Sequence, residues 1–186
     1  MLRTLLERIF NDKRLVRPAE FIIKMLLVYV GWRAFKYVGD TYENFLWGGW
    51  QQFKDFLGGV TTTVSANMLL VLGYKLSYVG RVITVDGTSG IYFADLCLGL
   101  APMVIFSGFI FSYGDNTKAK FWFVPLGVAA IFLINALRMV ALILIQVHGN
   151  NAQFRIAHDY LYVLITYGFI FVMVMWWMNR WADIKN

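Results

Sequence analysis

Apolar residues along this chain gather in long runs. Four of them, at about residues 20–38, 96–113, 121–145 and 159–178, are each close to the roughly 20 residues that a helix needs to cross a bilayer. They predict four membrane helices. The first run carries Lys24 and Arg33, each near one of its ends, where a long basic side chain reaches the interface. A fifth segment, TTTVSANMLLVLGYKLSYVG from Thr61 to Gly80, is diluted by three threonines, two serines, Asn67 and Lys75. It is compatible with crossing, re-entering or lying in the interface. Beyond it, two short β-rich runs, Val82 to Val85 and Ile91 to Phe93, flank Asp86-Gly87-Thr88-Ser89-Gly90. They predict a hairpin that delivers Cys97 to the mouth of the next helix.

Composition agrees with this reading. With 59% hydrophobic residues, 15% charged and a mean hydropathy of +0.59, the chain is more apolar than a water-soluble domain, whose apolar share is nearer half. The expected class is an all-α integral membrane protein, a compact polytopic bundle of about four to five membrane helices with a short external hairpin before the cysteine. Residues 1–186 are expected to form one membrane-embedded domain, with no appended soluble one.

The formal charge of +6 does not point to nucleic acid, because Arg3, Arg8, Lys13, Arg14 and Arg17 crowd the segment before the first run. That clustering is the positive-inside pattern, and no small-x-small cleavage site follows it, so the first span is expected to stay as an anchor. Four crossings put the N-terminus, the loop with Lys118 and Lys120, and the tail with Arg180 and Lys185 in the cytoplasm. The external segment from Lys36 to Asp95 then holds four basic and five acidic residues. A fifth crossing would carry one set of basic residues outside. Positive-inside therefore favours four.

On this topology Cys97, Arg138 and His158 share the external side. Cys97 is the only cysteine, which excludes an internal disulfide and a paired-thiol relay. Two readings are open to it. A lone cysteine in a membrane helix is ordinarily a small apolar filler, whereas a helix start favours thiolate, and Gly99 and Pro102 keep the turn small and stiff. Arg138 lies eight residues before Gln146, about 12 Å inside that helix end, too far for easy snorkelling and therefore a candidate for function. Asn135, three residues earlier, shares its face and is expected either to hold the guanidinium or to bond between helices. His158 opens the last span, with Tyr162 and Thr166 following at four-residue intervals as a polar stripe. His148 reads as an ordinary interfacial histidine. Trp176, Trp177 and Trp181 read as interfacial belt and packing.

A thiol, a histidine and an arginine on one side of a bundle can perform acyl transfer. The imidazole takes the thiol proton and returns it to a departing amine, while the arginine stabilises a tetrahedral oxyanion. Three ordered blocks, the cysteine and glycine of ADLCLGL, the Asn-x-x-Arg of NALRMV and the histidine of IAHDYL, also resemble those of the exosortase and archaeosortase transpeptidases. They cover the last hundred or so residues. The likeness is to compact forms associated with Bacteroidetes-type bacteria. Leu98 stands where larger members often have serine, and those members have more spans.

The resemblance implies Cys97 as nucleophile with Arg138 and His158 as catalytic partners, and Asn135 matches a motif position. Tyr162, from the polar stripe, is expected to support the site with Asn135, and no cofactor or metal is expected. The resemblance also implies a bacterial inner-membrane enzyme facing outward. Its partners would be the bilayer and exported proteins ending in a short motif, a membrane helix and a basic tail. Other classes remain open. A noncatalytic assembly factor would not need the thiol. A thiol oxidoreductase subunit would need a second redox partner, and a metal or haem site would have to use Cys97, His148 and His158, which include no close ligand pair.

Overall fold

In lipid every backbone polar group must be satisfied within its own segment or sheet, so long apolar runs fold as helices. The computed structural model describes residues 13–42, 48–113 and 117–181; Arg3, Arg8 and Lys185 of the expected basic termini lie outside the described residues. In chain order the elements are α1 (Lys13–Thr41), α2 (Gly48–Val71), β1 (Leu76–Val79), β2 (Val82–Val85), β3 (Ile91–Tyr92) and a 3-10 turn (Asp95–Leu98). Then follow α3 (Leu100–Ser112), α4 (Thr117–His148), α5 (Asn151–Ile156), a π turn (Ala157–Leu161) and α6 (Tyr162–Trp181).

Helix α4, and the continuous helix Ala152–Trp181 made by α5, the π turn and α6, are each long and apolar enough to cross a membrane, while α3 is a shorter apolar helix. The 32 residues of α4 amount to about 48 Å, well beyond the roughly 30 Å of a hydrocarbon core. One end of α4 therefore projects.

Side-chain contacts divide it into two stretches. Gly108 of α3 lies against Val28 of α1, and Gly127 of α4 against Phe106 of α3. Trp177 of α6 donates to the Tyr113 carbonyl at 3.3 Å. This half is a continuous apolar and aromatic core containing Phe106, Ile110, Phe123, Ile170 and Trp177. At the level of Cys97 the neighbours change. Beyond Asn135, α4 runs beside α2 and the sheet, with Ser65 donating to the Ala136 carbonyl at 3.3 Å and Tyr74 bonded to His148 at 2.7 Å. A second core forms here, from Leu69, Ile83, Phe93, Leu142, Ala157 and Tyr162 among others, with Cys97 at its edge. The molecule thus has an aromatic half and a capped half, and α4 and the last helix pass through both.

This arrangement corrects the simple reading of Thr61–Gly80. The segment is not one element: its first part completes α2, and Leu76–Val79 becomes a strand. Gly80 at φ +57° opens the two-residue turn to β2, a conformation that favours glycine. Because α2 starts beside the end of α1 and runs parallel to the far half of α4, it continues past α1 rather than turning back as a fifth antiparallel span. The expected hairpin is present, with Val82 opposite Tyr92 and Ile83 opposite Ile91. Strand β1 adds to its other edge, giving an antiparallel sheet of order β1-β2-β3.

Candidate active site

The thiol sits in a tied turn. Cys97 is 7% exposed and belongs to the 3-10 turn, not to α3, which begins three residues later at Leu100. The expectation that Cys97 opens the helix is corrected to that extent; Pro102 does fall in the first turn of α3. The Cys97 amide donates to the Ala94 carbonyl at 2.8 Å, and the Cys97 carbonyl accepts from Asn135 Nδ2 at 2.5 Å. Gly99 ends the turn at φ 71°. A β-carbon there would stand 3.2 Å from Asn135 Cγ, so both the left-handed backbone and the close approach of α4 require glycine. Of its two expected roles, Asn135 thus makes the bond between segments, and among the described residues no hydrogen bond joins it to Arg138.

Arg138 lies one turn past Asn135, about 4.5 Å further along α4. It is therefore near the boundary of the two halves, not deep inside one, because the helix beyond it belongs to the cap. Its guanidinium carbon lies 5.5 Å from the centroid of the Tyr162 ring, a cation–π distance, and its Nε is buried with no hydrogen-bond partner. Tyr162 is buried in the same core that reaches Cys97.

His158 is placed differently from the sequence expectation. The helix starts at Asn151, where Asn150 and Gln153 form a capping box, so His158 lies within it and not at its opening. It falls in the π turn, where the Tyr162 amide reaches back to the Ala157 carbonyl. Single π turns are frequent at functional sites. The His158 side chain is 42% exposed; its Nδ1 lies 2.9 Å from Asp159 Oδ1, and its ring stacks on Phe154 at 6.1 Å. Among the described residues no hydrogen bond joins His158 to Cys97 or Arg138. Thr166, next on the expected stripe, is half-buried. The fold therefore gathers Cys97 with Asn135 and Arg138 with Tyr162, and leaves His158 on the open edge beside Ala157.

Sequence reasoning missed a charged network next to the thiol. Lys54 Nζ bridges Asp40 at 2.9 Å and Asp95 at 2.8 Å. Arg81 bridges Asp95 at 2.5 Å and Asp55 at 3.0 Å. Burial by itself would raise the Asp95 carboxyl, but hydrogen bonds from Lys54 and Arg81 outweigh it and hold the group below its ordinary 3.8. Asp40 is lowered in the same way, against burial, by Lys54 and Trp50. Lys54 is raised, its bonds to Asp95 and Asp40 outweighing desolvation. In the sequence these residues registered only as a balanced external charge; the available sign was an aspartate two residues before the cysteine. Among the described residues no three His, Cys, Asp or Glu side chains are grouped to hold a metal ion.

A family model described as transmembrane exosortase matches residues 21–178, a stretch that contains every site residue named above. Comparison with curated proteins and with solved structures gives no match.

Proposed function

The chain belongs to the transmembrane exosortase family, and from that premise we propose that it cleaves the C-terminal sorting signals of exported proteins through a thioacyl intermediate on Cys97. The observation that carries this reading is the convergence at one level of the sole thiol, the asparagine that fixes its turn, and an arginine whose Nε is buried without an acceptor. A dry donor lacking a partner is costly in a resting protein, and it is what a developing oxyanion requires.

In the proposed reaction the Cys97 proton passes to His158 and the thiolate adds to the scissile carbonyl. Arg138, steadied by the Tyr162 ring, donates to the tetrahedral oxygen. The carbon–nitrogen bond then breaks as His158 returns the proton to the leaving amine, which departs with the membrane helix and basic tail. Water or an acceptor nucleophile attacks the thioester, and the thiol is restored. The contact with Asp159 uses Nδ1 and leaves Nε2 to take the proton, and a side chain that is 42% exposed has room to turn towards the thiol. Positive-inside places both the thiol and the cap outside a bacterial inner membrane.

The test is to coexpress a tailed substrate with wild-type enzyme and with Cys97→Ala at equal protein levels. Wild type should release the tail and deliver the product outside the cytoplasmic membrane, whereas Cys97→Ala should leave the tail attached. Equal cleavage by the alanine variant would make the thiol a filler, and product confined to the cytoplasm would reverse the orientation.

A further inference from the structure

We infer that Asp95 is a positioning residue for Cys97. Its carboxylate is the point where two buried cations fasten the thiol-bearing turn to the cap. The inference rests on the reading of Cys97 as nucleophile.

Four segments join in the network around this carboxylate. Lys54 comes from α2 and also reaches Asp40 at the end of α1. Arg81 comes from the β1–β2 turn and also reaches Asp55 on α2. Both cations are more than nine-tenths buried, at 4% and 6% exposure. The guanidinium lies in a fitted place. A β-carbon on Gly58 would come within 2.6 Å of Arg81 Nε, and the Arg81 carbonyl accepts from the Phe93 amide at 2.8 Å.

Burying two cations is a poor way to gain stability, since apolar residues of similar volume often serve as well or better. What ionic contacts add is direction. Here that direction is applied two residues from the thiol, because Asp95 and Cys97 share one 3-10 turn. Asn135 ties the same turn from the opposite side, through the Cys97 carbonyl. Asp95 itself is not a base for the thiol: one carboxylate oxygen is taken by Lys54 and the other by Arg81. It acts by holding the distance and angle at which Sγ meets a substrate carbonyl. A displacement of about 1 Å in such a geometry lowers a rate roughly 100-fold.

The experiment uses full-length enzyme in detergent and compares wild type with Cys97→Ala, Asp95→Asn, Asp95→Glu and the triple variant Lys54→Met, Arg81→Met, Asp95→Leu, which removes both cations and the carboxylate they share while leaving the more exposed Asp40 and Asp55. Measured are kcat and KM on a tailed substrate, the rate at which N-ethylmaleimide alkylates Cys97, and the melting temperature. Asp95→Asn should lower kcat about 10- to 100-fold with KM within about twofold and alter the alkylation rate. Asp95→Glu keeps the charge but shifts it by one methylene, and should also lose kcat while remaining folded. The triple variant should recover the melting temperature but not kcat. Wild-type kcat in folded Asp95→Asn, or recovery of kcat together with stability in the triple variant, would overturn the positioning role. If Cys97→Ala cleaves normally, the nucleophile reading itself falls; if it is inactive while Asp95→Asn is normal, only the positioning role falls.

Discussion

The two halves of this bundle are held together in different ways. In the aromatic half, Phe123 lies 5.0 Å from Trp177 and 6.0 Å from Phe106, and the core is held by area and shape. In the capped half the buried residues include Lys54, Thr61, Thr62, Ser65, Arg81 and Asn135, which are all the buried polar or charged side chains among the described residues. Burial of apolar area is non-directional, whereas hydrogen bonds and ion pairs are directional and costly when broken. The aromatic half therefore anchors, and the capped half sets geometry. Cys97 lies where they meet.

The sharpest way to break this comparison is at Arg138. Lysine keeps the charge but loses the planar fork of donors, so Arg138→Lys should fold at normal levels and cleave about 100-fold more slowly. Cleavage at the wild-type rate, measured per molecule of membrane-inserted enzyme, would mean that a point charge suffices and that geometry is not what this half supplies. The complementary change is Trp177→Ala in the aromatic half, where the ring is fully buried. It should cost about 3–5 kcal/mol of stability, read as a lowered unfolding midpoint in detergent, with kcat of the folded fraction unchanged. Loss of kcat at unaltered stability would show that the aromatic half also shapes the site.

A smaller effect concerns acid. Asp40 and Asp95 have pKa values below the ordinary 3.8 in the folded protein. The stability they contribute is complete above that ordinary value and is lost as pH falls through the lowered one. Both carboxylates are about a third exposed, so screening keeps the contribution modest. The melting temperature of the wild type should fall by a few degrees more than that of Asp95→Asn when pH is lowered from about 5 to about 3. Parallel curves would show that the network contributes nothing to the acid limb.

How far the sequence discloses this comparison depends on the distance over which each contact acts. The long helices are legible because a run such as 121–145 meets its own backbone needs wherever it packs. The hairpin at Val82–Tyr92 is legible because its turn is local. Strand β1 is hidden because Leu76–Val79 continues an apolar run, and only its pairing with Val82–Val85 makes it a strand. The start of the last helix is displaced because polar residues precede His158, although Asn150 and Gln153 carry the spacing of a capping box. Cys97 and Arg138 stand out as candidates by type and order, and Tyr162 by its spacing from His158. The partner of Asn135 does not, since sequence spacing pairs it with Arg138 three residues away while the fold gives it the Cys97 carbonyl, 38 residues distant. The Lys54–Asp95 contact spans 41 residues, and no local pattern announces it.

The most direct measurement of the central claim is mass spectrometry of the enzyme itself after brief reaction with a tailed substrate. An acyl adduct is expected on the peptide containing Cys97, with a mass equal to the substrate fragment upstream of the cleavage site. Hydroxylamine should release it as expected for a thioester, and His158→Ala enzyme should form it slowly. Tail removal with the adduct on any other residue, or by Cys97→Ala enzyme at the wild-type rate, would contradict the account.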